Sequence, residues 1–264
     1  MSTIVRAIDG NTDDFIKHLK YEFPIINSFE RLKKYITFCK STGTINLVKK
    51  YLQEKKFIDD DEMNVWNQTS PFNIFASIGA GIMPNYVDQR CIMDYKTLFV
   101  VCHNRPENDI RWNDPSHSAA SMAGPDDYGP GHVFITTKIM KWSYFNITTI
   151  ILLEHLTFLK ALKFAGLCYA KSRNWKNPGL FFHCFPHNSV QSLHLHVMNL
   201  DNCGFNYERN KHKNISIDHC IELIEDMRWR RLSCSGLFCA MPFVRTRRVA
   251  PNEDVFDLLT LAQK

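Results

Sequence analysis

The sequence predicts an α+β fold, with an antiparallel sheet, one long helix and a helical N-terminal extension. Three observations carry that expectation. Residues 12–56 repeat apolar positions at helical spacing, whereas after about residue 70 the chain turns to short apolar pieces divided by Gly and Pro. Several of those pieces, RCIMDYKTLFVVCH, GHVFITTK, GLFFHCFP and SVQSLHLHVMNL, have the β-branched and aromatic content or the alternation of strands. Between them runs ITTIILLEHLTFLKALKFAG, long enough for a helix of about twenty residues and ended by Gly166.

In chain order, NTDDFIKHLKYEF places acidic residues in a first helical turn, where the helix dipole favours them. Pro24 interrupts, and SFERLKKYITFCK starts with Ser28 as its N-cap. After a break at Gly43, TINLVKKYLQEKK aligns Ile45, Leu47, Val48, Tyr51 and Leu52 in one stripe. The acidic run DDDE at 59–62 reads as a linker. RCIMDYKTLFVVCH reads as a strand pair about a polar turn at Asp94 to Lys96. Residues 103–131 form a long loop of Pro, Asn, Asp, Gly and Ser, a length that compact domains reserve for function or mobility. LCYAKSRNW and GLFFHCFP suggest one or two more strands, DHCIELIEDMRWRRL (218–232) a last helix, and GLFCAMPFVRTRR a final strand. The expected division is a helical extension over 1–65, a sheet domain over 66–205 and a C-terminal helix and strand addition over 206–264.

With 45% hydrophobic and 22% charged residues, the 264-residue chain has the composition of a folded soluble protein. A net charge of +5 suits a phosphate-bearing ligand, but the excess is too small to argue for nucleic acid alone. The nine cysteines include no CxxC pair, so they signal neither a disulfide framework nor a ribbon-type zinc site. The N-terminal MSTIVRAIDGNTDD lacks the apolar core of a secretory signal. Glu154, His155, Lys160 and Lys163 break the most apolar stretch, 147–170, as a membrane span. A cytoplasmic protein without membrane contact is expected, and the nucleus is not excluded.

The stretch SVQSLHLHVMNL carries the chemistry. Taken as a strand over 189–198, it sends Leu193, Leu195 and Val197 to one face and Ser192, His194, His196 and Met198 to the other. The first face is core; the second lines something polar. Three readings stand there: two packed core histidines, a metal site lacking a third ligand in local sequence, or a catalytic pair with one neutral imidazole as nucleophile.

At these residues the chain resembles the histidine triad (HIT) superfamily of nucleotide hydrolases and transferases. The family pattern of three alternating histidines stands here as Ser192-Leu193-His194-Leu195-His196-Val197-Met198, with Ser in the first place. Asn188, Ser189 and Val190 match the polar residue and Ser-Val pair ahead of the triad, GHVFITTK resembles the family's Gly-His strand, and PFNIFASI its entry segment. The resemblance covers roughly residues 70–200. It implies that His194 attacks an α-phosphorus to give a nucleotidyl-histidine that water cleaves, and that His196 holds phosphate oxygens. It further implies that Ser189 contacts the leaving group, Asn188 holds phosphate nearby, and Phe72 and Ile74 pack on the base. No cofactor or metal is implied. The partner is a nucleotide or nucleotide-conjugate substrate, nucleic acid is not favoured, and a two-fold homodimer is the family's frequent assembly.

Two departures bear on these expectations. Ser192 cannot carry charge at neutral pH, which predicts a reduced rate or an altered substrate range. Where the family has an Asp for the ribose hydroxyls, the chain has His103 and Asn104. The loop at 107–130 reads as a lid or a substrate selector. His132 is read equally as a site contact and as packing, while His183 and His187 are read as packing. Cys203, His212, His219 and Cys220 lack zinc-finger spacing, and two basic clusters, Arg228 to Arg231 around Trp229 and Arg245 to Arg248, read as solvated surface. Two alternatives remain beside the enzyme: a catalytically weak nucleotide-binding or interaction module, and an aprataxin-like enzyme acting on nucleic-acid ends.

Overall fold

The computed structural model describes residues 12–54, 56–65, 74–82, 91–95, 98–103, 131–188, 190 and 192–234. The final strand expected at GLFCAMPFVRTRR and the loop at 107–130 lie outside them.

The N-terminal segment forms α1 (Thr12–Glu22), α2 (Phe29–Ser41) and α3 (Thr44–Glu54). Ser28 caps α2 by accepting from the Arg31 N–H, as the sequence predicts. Gly43 separates α2 from α3 with φ of 62°, a left-handed conformation that costs glycine little. The acidic run is not a free linker. Its Glu62 pairs with Lys49 of α3 and accepts from the Trp142 indole at 2.8 Å, while isolated bridges join Ile58 to Asn64 and Met63 to Lys141. Two partners for one carboxylate make the segment a strap against the sheet domain.

The short α4 (Ile74–Gly79) leads to a six-stranded antiparallel sheet of β1 (Cys91–Asp94), β2 (Phe99–His103), β3 (His132–Thr137), β4 (Pro178–His183), β5 (Leu195–Asn199) and β6 (Asn214–Ser216). Their spatial order is β1-β2-β3-β5-β4-β6. The strand pair expected around Asp94 to Lys96 is β1 with β2, and GHVFITTK supplies β3.

The single long helix of the sequence reading is two helices. The first, α5 (Ile147–Leu152), is capped by Asn146, whose Oδ1 accepts from the Thr149 N–H at 2.9 Å. Glu154 then takes a positive φ of 57°, and α6 runs over Leu156–Ser172. The Glu154 carboxylate gathers Lys40, Arg228 and Arg231 from two other helices, and a local pattern cannot report such a tertiary commitment. Nor does Gly166 end α6. A Cβ there would meet Leu180 at 2.7 Å and Leu195 at 3.4 Å, so the glycine lets helix and sheet approach closely. The helix instead continues through LCYAKS, which the sequence reading assigned to a strand, because Leu162, Ala165, Gly166, Tyr169 and Ala170 are buried at helical spacing.

After β5 come α7 (Phe205–Asn210) and α8 (Ile217–Cys234). Helices α2, α5, α6 and α8 cover one face of the sheet. Phe99, Val101, Val133, Ile135, Phe182, Leu195, Val197 and Ile215 meet them in one core that also takes Leu32, Tyr35 and Ile36 of α2. A side chain of this kind contributes about 1.5–3 kcal/mol when fully buried, so the N-terminal helices are integral to the sheet domain's core. On the opposite face, α4 packs on Val100, Cys102 and Phe134, and Tyr207 of α7 on Phe181 and Met198. Between those two covers lie the histidines. No helix among the described residues is long and apolar enough to cross a membrane.

Gly79 fixes how closely α4 approaches β3, since a Cβ there would lie 2.4 Å from the Thr137 carbonyl oxygen. Gly79→Ala is expected to lower the unfolding free energy by about 1–3 kcal/mol, the usual cost of overpacking. Urea denaturation reads this directly, and an unchanged midpoint would mean that α4 is not held against β3.

Candidate active site

The β5 strand is shorter than the sequence reading, starting at Leu195 rather than near 189, yet the alternation extends backwards through Ser192. Leu193, Leu195 and Val197 are buried in the main core, while Ser192, His194, His196 and Met198 take the other side. The approach segment is pinned at Leu193, whose N–H donates to the Phe145 carbonyl at 2.7 Å and whose carbonyl accepts from Thr136 at 3.0 Å.

Neighbouring strands complete a cluster of four imidazoles. His132 of β3 and His196 of β5 share a hydrogen bond, Nε2 to Nδ1, at 2.9 Å, with nearly parallel rings. His183 of β4 lies with its ring centre 4.4 Å from that of His196, and its Nε2 donates to Asn214 Oδ1 of β6 at 2.9 Å. His194 stands 4.8 Å from His196, centre to centre, and its Nδ1 donates to the Ser192 carbonyl at 2.7 Å. Phe75 and Phe181 form the apolar walls, at 4.5 Å from His194 and 5.1 Å from His196.

A carbonyl oxygen can only accept, so the proton of a neutral His194 is on Nδ1 and its Nε2 carries the lone pair. Burial disfavours the charged ring in every member of the cluster. It lowers His194 to about 4 against the raising influence of the Ser192 carbonyl, and His132 to about 3 with a further push from His194. His183 and His196 are pushed well below the ordinary imidazole value, first by burial and then because a charge on either would meet the Lys213 ammonium and the other rings of the cluster. Four neutral rings therefore share one face at physiological pH.

Ser192 is buried, and its hydroxyl accepts from the Phe75 N–H at 2.9 Å. Ser192 thus ties α4 to the approach of β5. His132 is wholly buried and shares its hydrogen bond with His196. Ile74 packs with α4 against Val100 and Phe134. Asn188 sits in the turn after β4, its N–H on the Cys184 carbonyl at 3.2 Å. His103 ends β2 opposite Val133, while Phe72, Asn104 and Ser189 lie outside the described residues. His183, read from the sequence as packing, joins the cluster, and Asn214, Phe75 and Phe181 were not singled out at all. A lone histidine in GLFFHCFP gives no local signal; the pairing of Phe181 with His196 brings it in.

Among the described residues, no group of three or more His, Cys, Asp or Glu is arranged to hold a metal ion. The six cysteines whose side chains are described are free thiols. Arg228 to Arg231 belong to α8 on the opposite face of the sheet, where Glu154 and Asp226 pair with them. In comparisons with protein families, curated proteins and solved structures, no match to this chain is found.

The lowered pKa of His194 makes stability depend on pH. Between about 6.5 and about 4 the unfolded chain binds a proton that the folded chain refuses. The contribution is whole above that window and is lost as pH falls through it, at up to ~1.4 kcal/mol per pH unit. His194→Asn should flatten the decline in unfolding free energy between roughly pH 6.5 and 4.5. A slope equal to the parent's would show an ordinary imidazole at this position.

Proposed function

We propose that the chain is a nucleotide hydrolase or nucleotidyl transferase that acts at an α-phosphate through a covalent intermediate on His194. One observation carries the reading: the Ser192 carbonyl accepts the hydrogen bond of the His194 Nδ1–H, leaving a neutral Nε2 with its lone pair in a fixed direction. A nucleophilic imidazole must be unprotonated and aimed, and here burial does the first and one hydrogen bond the second. In the first step Nε2 bonds to phosphorus while the bond to the leaving group breaks. In the second, water bonds to phosphorus, the N–P bond breaks and the nucleoside monophosphate leaves. His196, backed by His132 and beside His183, lies near enough to His194 to serve the non-bridging oxygens.

A second reading, a catalytically weak nucleotide-binding module, is favoured by the Ser192 hydroxyl. Its bond to Phe75 commits it to the scaffold, so the first triad place brings no imidazole to the reaction. Adenosine phosphoramidate, dinucleoside polyphosphates and adenylated DNA ends separate the readings. The enzyme turns over at least one of them, and His194→Asn lowers that turnover by at least ~10³-fold, the scale seen when a nucleophile is removed. Nucleotide labelled at its α-phosphate then leaves an acid-labile, base-stable label on the parent protein and none on the variant. Turnover that survives His194→Asn would overturn the mechanism; binding without turnover on any substrate would establish the module.

A further inference from the structure

A neutral histidine cluster raises a problem for any phosphate-bearing ligand: its charge must be met from elsewhere. The answer lies at the end of the sheet where β4 and β6 meet. Asn214 of β6 holds His183, and the preceding residue, Lys213, is half-buried. The Lys213 ammonium donates to the His187 carbonyl at 3.3 Å, in the turn after β4 and immediately before Asn188.

The same corner draws in the N-terminal segment. The Ile26 N–H donates to the His212 carbonyl at 3.1 Å, the Asn27 amide to the Lys211 carbonyl at 3.3 Å, and the His187 ring to the Phe23 carbonyl. Lys20 of α1, one turn before Phe23, and Arg209 of α7, whose carbonyl accepts from the His212 ring at 3.1 Å, are exposed, and their charges act on Lys213. Burial and these two cations hold the Lys213 ammonium below its ordinary value, while its charge reaches His183, His194 and His196. Among the described residues no ion pair includes Lys213, Lys20 or Arg209, although the neighbouring Lys211 pairs with Glu208. A partly desolvated ammonium among like charges is destabilising until an anion neutralises it.

We propose that Lys213, with Lys20 and Arg209, forms an anion-binding subsite at the β6 corner of the histidine face. Given the proposed attack by His194, the substrate then carries a second phosphate group beyond the one attacked, as a dinucleoside polyphosphate or nucleoside triphosphate does. Compounds whose leaving group is a neutral amine lack the group that this corner receives.

The test uses the full chain with Lys213→Gln and Lys213→Arg. Pyrophosphate binding measured by calorimetry requires no turnover; it is expected to weaken roughly 10–100-fold in Lys213→Gln, the worth of one charge-assisted hydrogen bond, and to recover largely in Lys213→Arg. For catalysis, the ratio of kcat/KM on diadenosine tetraphosphate to that on adenosine phosphoramidate should fall by a similar factor in Lys213→Gln. Parent protein that does not bind pyrophosphate, or Lys213→Gln that binds it equally well, overturns the subsite. So does an unchanged substrate ratio, or a loss that Lys213→Arg does not restore. Lys213-dependent pyrophosphate binding without turnover of either substrate would sink the catalytic reading and leave the subsite standing.

Discussion

Desolvation of the imidazoles on the outer face of the sheet is the constraint on which the site depends. Phe75 of α4, Phe134 of β3 and Phe181 of β4 wall the cluster. In that setting a proton on any ring loses hydration and meets the other rings at close range, so the neutral state wins. Neutrality leaves each ring one donor and one acceptor, and the rest of the geometry assigns them. The Ser192 carbonyl fixes His194, Asn214 fixes His183, and His132 and His196 share one proton between facing nitrogens.

Ser192 carries two of the assignments that matter. Its carbonyl accepts from the His194 Nδ1–H and its hydroxyl from the Phe75 N–H, so one residue orients His194 and seats the ring that walls it. A histidine in this buried position has neither the hydroxyl nor the small volume that the contact with α4 uses. The departure from the three-histidine pattern is consequently coupled to the position of α4 and is more than the subtraction of a ring. Among the described residues His183, on the adjacent strand, brings the imidazole count on this face to four.

The alternation through Ser192, Leu193, His194, Leu195, His196 and Val197 was legible because a strand's period of two survives irregular backbone at its start. The strand pair about Asp94 and the cap at Ser28 were legible because their signals are local. The break between α5 and α6 was not, since Glu154 turns there while gathering cations from α2 and α8. Gly166 misled for a related reason: close packing on Leu180 and Leu195 needs a glycine just as a helix end does. The three-residue β6 is too short to show a period, yet it delivers Asn214 and follows directly on Lys213. His183 enters through strand order, which a sequence pattern does not specify.

This division of labour follows from charge. A set of neutral rings can supply a lone pair and hydrogen-bond donors, but it brings little net charge to a phosphate whose transfer disperses negative charge over its oxygens. Placing a cation inside the cluster would raise the cost of burial and suppress the protonation of every ring around it. Placing it at the edge, just before a strand and tied to the turn after β4, keeps both requirements compatible. Lys213 occupies such an edge, close enough for its charge to act on three rings and still half-exposed to solvent. In the proposed subsite a bound anion would compensate that ammonium and, by its own field, ease protonation of the neighbouring rings. The C-terminal addition thereby becomes part of the site's electrostatics as well as of its scaffold.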